Sequence, residues 1–145
     1  AARREPELRF RDFAILYRVN AQSRALQSAL GAVGIPCVVR QEEDDSGLVP
    51  RRAARAADPA EIAPDAVWLL TYFRAKGLQW PVVFLISCNE GLTPHNRSPL
   101  EDERRLFYVA MTRASTALHV SFLDPADGAH PPASRFLREA GLVGG

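Results

Sequence analysis

Two apolar runs constrain the fold of this chain more than any other feature. Phe13-Ala-Ile-Leu-Tyr17 and Val82-Val-Phe-Leu-Ile86 show no alternation of polar and apolar residues. A strand with one wet face alternates. A strand covered on both faces does not, and that is the habit of parallel sheets packed between helices. The residues after Tyr17 agree. Asn20 is placed to cap a helix in which Ala21, Ala25, Leu26, Ala29, Leu30 and Val33 recur at helical spacing, and Gly34 stops it. Pro36 then opens a short strand, Cys37-Val-Val39. Strand, helix and strand make a β-α-β unit whose crossover is expected to be right-handed.

Residues 40–65 mix acids, arginines, alanines and prolines with few large apolar side chains, which reads as a flexible linker with a marginal helix in RRAARAAD. Order resumes with a strand at Val67-Trp-Leu-Leu70, a polar turn from Thr71 to Trp80, and the core strand Val82 to Ile86. A loop leads to a helix from Pro99 to about Ala114, with Glu101, Asp102 and Glu103 in its first turn, where the helix dipole favours acids. A closing strand is expected from Ala117 to Leu123 and a short helix before Gly141. Alternating strands and helices in 145 residues predict a single three-layer α/β domain with a mainly parallel sheet.

Composition narrows the function classes. A hydrophobic share of 47% and a charged share of 24% are those of an ordinary globular protein. No run approaches the roughly 18 apolar residues of a membrane span, and the first residues do not resemble a signal peptide. Cys37 and Cys88 stand far apart, and His95, His119 and His130 lack ligand spacing. The expectation is therefore a cytoplasmic protein with reduced thiols, no structural metal and no membrane partner. The net charge of +1 carries no argument for nucleic acid. Of 18 basic residues only Lys76 is lysine, so arginine abundance is uninformative and arginine position is what counts.

Three polar groups are expected at the carboxyl ends of strands, where ligands gather in open α/β sheets. Tyr17-Arg18 follows the first strand. The pair suits a nucleotide, ring on base and guanidinium on phosphate, or is simply a strand end in solvent. Lys76-Gly77 follows the third strand in a tight turn, where a glycine lets backbone N–H groups approach a phosphate. It is not a Walker A loop, which needs GxxxxGK followed by Ser or Thr. In DERRLFYVAMTRAS, Leu106, Val109, Ala110 and Arg113 lie at i, i+3, i+4 and i+7 on one helical face. Arg113 can there neutralise the helix C-terminus, or reach past the sheet edge to an anion on another domain.

Together these groups resemble the C-terminal RecA-like motor domain of the UvrD/Rep-like superfamily 1 DNA helicases. AILYRVNAQSRALQSALGAVGIPCVV is similar to motif IV and its helix, LLTYFRAKGLQWPVVFLISCNEGLTPH to motif V, and LEDERRLFYVAMTRASTALHVSF to motif VI. The resemblance implies a RecA-like fold and roles residue by residue. Tyr17 would stack on adenine, Arg18 would contact the γ-phosphate, and Arg113 would be the arginine finger. Gln79 would lie beside the ribose. Thr71, Phe73, Lys76 and Gly77 would lie in the segment that meets DNA and links it to the nucleotide. ATP with Mg2+ would be held mainly by an N-terminal motor lobe of the same full-length chain, and the other partner would be single-stranded or partly duplex DNA. The isolated chain would be inactive.

The chain departs from the family pattern in four places. Phe73 stands where histidine is usual, and Gln79 where glutamate is usual. The short interval from Arg40 to Pro64 replaces the inserted subdomain of many relatives. The phosphate-loop lysine and magnesium-binding acids of the N-terminal lobe are absent from these residues. An alternative therefore stands, a degenerate helicase-like domain that binds or scaffolds without catalysis. An intact GxxxxGK loop upstream of Ala1 would favour the motor, and a broken one the scaffold. A self-sufficient nucleic-acid-binding domain fits the near-neutral charge poorly.

Overall fold

The computed structural model describes residues 7–40, 65–126 and 128–144. Among the described residues, five strands and three α-helices follow one another as β1 (Phe13–Tyr17), α1 (Ser23–Ala32), β2 (Cys37–Arg40), β3 (Val67–Thr71), β4 (Trp80–Leu85), α2 (Leu100–Met111), β5 (Ala114–Val120) and α3 (Arg135–Glu139). The strands form one sheet in the order β2-β3-β1-β4-β5, and every pairing is parallel.

Both expected core runs are central strands, and the reason is visible in their burial. Neighbouring side chains of a strand point to opposite faces. Leu16, Leu70, Val83 and Leu85 pack on one face with Leu106, Phe107 and Ala110 of α2 and Phe136 and Leu137 of α3. Tyr17 and Leu69 pack on the other face with Leu26 and Leu30 of α1. All five residues of β3 are buried, as a strand with two covered faces requires. The result is a mixed α/β domain in three layers, consistent with a RecA-like fold without a Walker A loop.

Several boundaries move. Pro81 was expected to precede its strand but lies inside β4, at the bulge where the register against β5 shifts between Trp80 and Val82. A bulge tolerates a residue without an N–H. The closing strand runs from Ala114 to Val120 rather than from Ala117 to Leu123, because its pairing with β4 already begins at Ala114 opposite Trp80. Asn20 does not cap α1. It opens a 3-10 turn, and Gln22 Oε1 instead accepts the Arg18 and Val19 N–H groups, each at 3.1 Å. The expected linker and its marginal helix lie, from residue 41 to 64, outside the described residues. Among the described residues, no helix is long and apolar enough to cross a membrane.

Candidate functional site

The chain leaves β1 towards one edge of the sheet and β4 towards the other, so a crevice opens between the carboxyl ends of these two strands. Arg18 stands at that crevice, and it is not a free cation. Its Nε and Nη2 donate to the two carboxylate oxygens of Glu103 at 2.8 and 3.0 Å, a bidentate pair. Glu103 is 3% exposed and also accepts the His95 N–H at 2.6 Å. Burial pushes this carboxyl up, but its hydrogen bonds from Arg18 and His95, with the Arg18 charge, bring it below its ordinary value.

Phe73 lies against the same group. The Arg18 guanidinium sits 4.9 Å from its ring centroid and the Lys76 ammonium 5.5 Å, within cation–π range. The ring is exposed, at 43%. Between the β3–β4 connection and α2 lies a cleft of about 370 Å³, lined by Phe73 and Lys76 from the connection and by Asp102, Glu103, Arg105 and Val109 from the helix, among others.

The other expected residues are placed differently. Tyr17 is fully buried between the sheet and α1, so it offers no ring face to a base. It is the last residue of β1, and strand alternation turns it under α1. Burial raises its hydroxyl, and Ser23 opposes that rise. Thr71 is buried too, and its Oγ1 accepts the Arg74 N–H at 3.4 Å to turn the chain. Gly77 adopts φ +79°, a conformation that L side chains avoid, with open space where a Cβ would stand. Gly77→Ala should therefore lose stability through backbone strain alone, about 1–2 kcal/mol in a urea titration. An unchanged midpoint would show that the turn is not left-handed in solution.

Arg113 was expected at the carboxyl edge of the sheet and is found at the amino edge. It directly precedes β5, and its carbonyl accepts the N–H of Trp80, the first residue of β4. Its guanidinium donates to Val109 O at 3.0 Å, Leu78 O at 3.2 Å and Thr112 Oγ1 at 3.0 Å. It thus neutralises the C-terminal carbonyls of α2, as the helix dipole favours. Those bonds engage three of the five N–H groups of a guanidinium. Gln79, next in sequence to Leu78, is exposed at this edge.

Arg18 and Arg113 do not converge. Glu103 and Val109, which hold them, are six residues apart in α2, about 9 Å of helix rise. The structure instead gathers Arg18, Phe73 and Lys76 near one end of α2 and leaves Arg113 and Gln79 near the other.

Glu103 escaped the sequence reading, although a signal was there. Glu103, Leu106, Phe107 and Ala110 share the spacing i, i+3, i+4 and i+7, and all four are buried. A carboxylate on the buried face of a helix demands a partner.

Comparisons with known proteins agree with this architecture. Residues 53–124 match the UvrD-like helicase C-terminal domain family. The chain is 48% identical over 62 residues to the ATP-dependent DNA helicase PcrA of Bacillus subtilis, covering 39% of this chain and 8% of that protein. It is 38% identical over 114 residues to the ATP-dependent DNA helicase UvrD1 of Mycobacterium bovis, covering 68% of this chain and 15% of that protein. The crystal structure of the C-terminal domain of a possible DNA helicase from Lactobacillus plantarum WCFS1 superposes with a TM-score of 0.56 at 25% identity, covering 87% of this chain and 60% of that one. This chain thus spans a small part of the curated relatives it matches.

Proposed function

We propose, for a chain homologous to the C-terminal domain of UvrD/PcrA-like superfamily 1 DNA helicases, that it is the second motor lobe of an ATP-dependent DNA helicase. The observation that carries the proposal is the division of its polar residues between the two ends of α2. Arg113 and Gln79 face a nucleotide held by the N-terminal lobe; Arg18, Phe73 and Lys76 face single-stranded DNA.

The residues of this chain fit half of a nucleotide site. Arg113 keeps two N–H groups uncommitted, enough to fork onto a phosphate oxygen pair as lobes close. Exposed Gln79 offers an amide for a ribose hydroxyl. In this reading Mg2+ would be held mainly from the other lobe. ATP with Mg2+ would bring the phosphoryl group to be transferred to water; Arg113 would stabilise the charge that develops on it.

On the DNA side, Lys76 is the exposed point charge of the cluster. In the complete protein, Lys76→Ala should weaken single-stranded DNA binding and reduce the slope of log K against log salt by about 0.7, the share of one phosphate contact. ATP hydrolysis without DNA should be unaffected. A slope equal to that of the parent protein would remove Lys76 from the DNA face. The scaffold alternative rests on Phe73 and Gln79, and a complete protein without DNA-dependent ATP hydrolysis would favour it.

A further inference from the structure

We infer that the Arg18–Glu103 pair is a latch: in the free lobe Glu103 occupies the edge of the Arg18 guanidinium that a phosphate group would take, and an incoming phosphate has to displace it. The inference rests on the reading of the lobe as one that receives phosphate-bearing ligands at the crevice between β1 and β4. Two hydrogen bonds in parallel, at 2.8 and 3.0 Å, engage the Nε–Nη2 edge of the guanidinium. A carboxylate and a phosphate use that fork in the same way, so one excludes the other from it. Arg18 keeps 12% of its side chain exposed against 2% for Glu103, so the arginine is the partner that a ligand reaches first.

A latch needs a second support for each partner; otherwise opening it strands a buried charge. Glu103 has one. It stands in the first turn of α2, where the helix dipole favours an anion, and it accepts the His95 N–H at 2.6 Å independently of Arg18. Arg18 has one too. Its guanidinium already lies 4.9 Å from the Phe73 ring centroid, a face that stays within reach as the long side chain turns. The backbone of Arg18 need not move, because Gln22 Oε1 holds its N–H at 3.1 Å. Only the side chain changes place, between two discrete arrangements that a ligand can bias. The displacing phosphate belongs to a nucleotide or to a DNA backbone, and Arg18 is offered to it only once the pair is open.

The consequence is a gain on mutation, opposite in sign to the effect of losing a purely structural pair. In the complete protein, Glu103→Gln keeps an oxygen for the His95 N–H but removes the charge that holds Arg18. It should tighten binding of the ligand whose phosphate Arg18 meets by about 5- to 10-fold, the difference between a charge-assisted and a neutral hydrogen bond. Three titrations identify that ligand: a nonhydrolysable ATP analogue with Mg2+, a single-stranded phosphodiester oligonucleotide, and an uncharged methylphosphonate strand of the same sequence. A gain with the nucleotide, or with the phosphodiester strand and not the methylphosphonate one, supports the latch and names the source of the phosphate. On an Arg18→Gln background the same substitution should give no gain, because nothing is left to release. An equal gain there means that Glu103 only repels anions, and it overturns the latch. No gain with any ligand, a loss, or an equal gain with the methylphosphonate strand overturns it too. Should Glu103→Gln fail to fold, Glu103→Asp takes its place: one methylene shorter, it keeps the charge but not the fork and should give a smaller gain of the same sign. If the parent protein binds neither nucleotide nor oligonucleotide, the reading of the lobe fails, and the latch with it.

Discussion

Arg113→Ala in the complete protein lowers ATP turnover by about 10³–10⁵-fold and leaves single-stranded DNA affinity close to that of the parent. This is the largest effect expected of any single substitution in the chain. The guanidinium is pre-positioned by Val109 O, Leu78 O and Thr112 Oγ1, so no side-chain reorganisation is needed when the lobes close. The loss should fall on kcat more than on KM, since the charge it meets develops in the transition state. Arg113→Lys should recover little, because a point charge does not reproduce a planar fork. The same bonds tie the end of α2 to the start of β4, so truncation also costs stability, about 1 kcal/mol for each net hydrogen bond lost. A melting curve separates the two effects. If ATP turnover and DNA binding fall together, Arg113 is a structural residue.

Glu103→Ala should be the most destabilising change at the crevice between β1 and β4. It leaves the Arg18 guanidinium, 12% exposed, with no carboxylate and removes the acceptor of the His95 N–H. Breaking a buried pair from one side costs roughly 3–5 kcal/mol, and the residual exposure of Arg18 puts this case in the lower part of that range. A urea midpoint measures it. Glu103→Gln should cost less, because the amide oxygen still accepts. The pH dependence gives a second check. The folded carboxyl lies below its unfolded value of about 4.3. Its stabilisation is therefore fully present above that unfolded value and is lost as pH falls through the lower, folded one. In Glu103→Gln that part of the acid destabilisation should disappear; an unchanged acid limb would mean that Arg18 and Glu103 are not paired in solution.

Much of the fold was legible because it rests on periodicity. The unalternating runs at Phe13–Tyr17 and Val82–Ile86 require covers on both faces, and a sheet between helix layers is the arrangement that supplies them. The motif residues were legible as a set, since Lys76, Gly77 and the YVAMTRA stretch stand at recognisable spacing. The boundaries were less so. Pro81 reads as a strand breaker until the bulge opposite it is known. Asn20 reads as a cap until Gln22 is seen to accept the same turn's N–H groups.

What the sequence determined by itself was the class of the domain, its family resemblance and the identity of the polar residues, because all three are carried by local pattern. Which residues act together was decided by the tertiary structure. Tyr17 is next to Arg18 in the chain, yet strand alternation buries one and leaves the other at the crevice. Arg18 and Arg113 are held at different points along α2, because a parallel sheet sends every strand the same way. The chain therefore has to travel back from the carboxyl edge to the amino edge before each new strand, and α2 makes that return before β5. Arg113, at the end of that return, was bound to lie a helix length from Glu103 at its start.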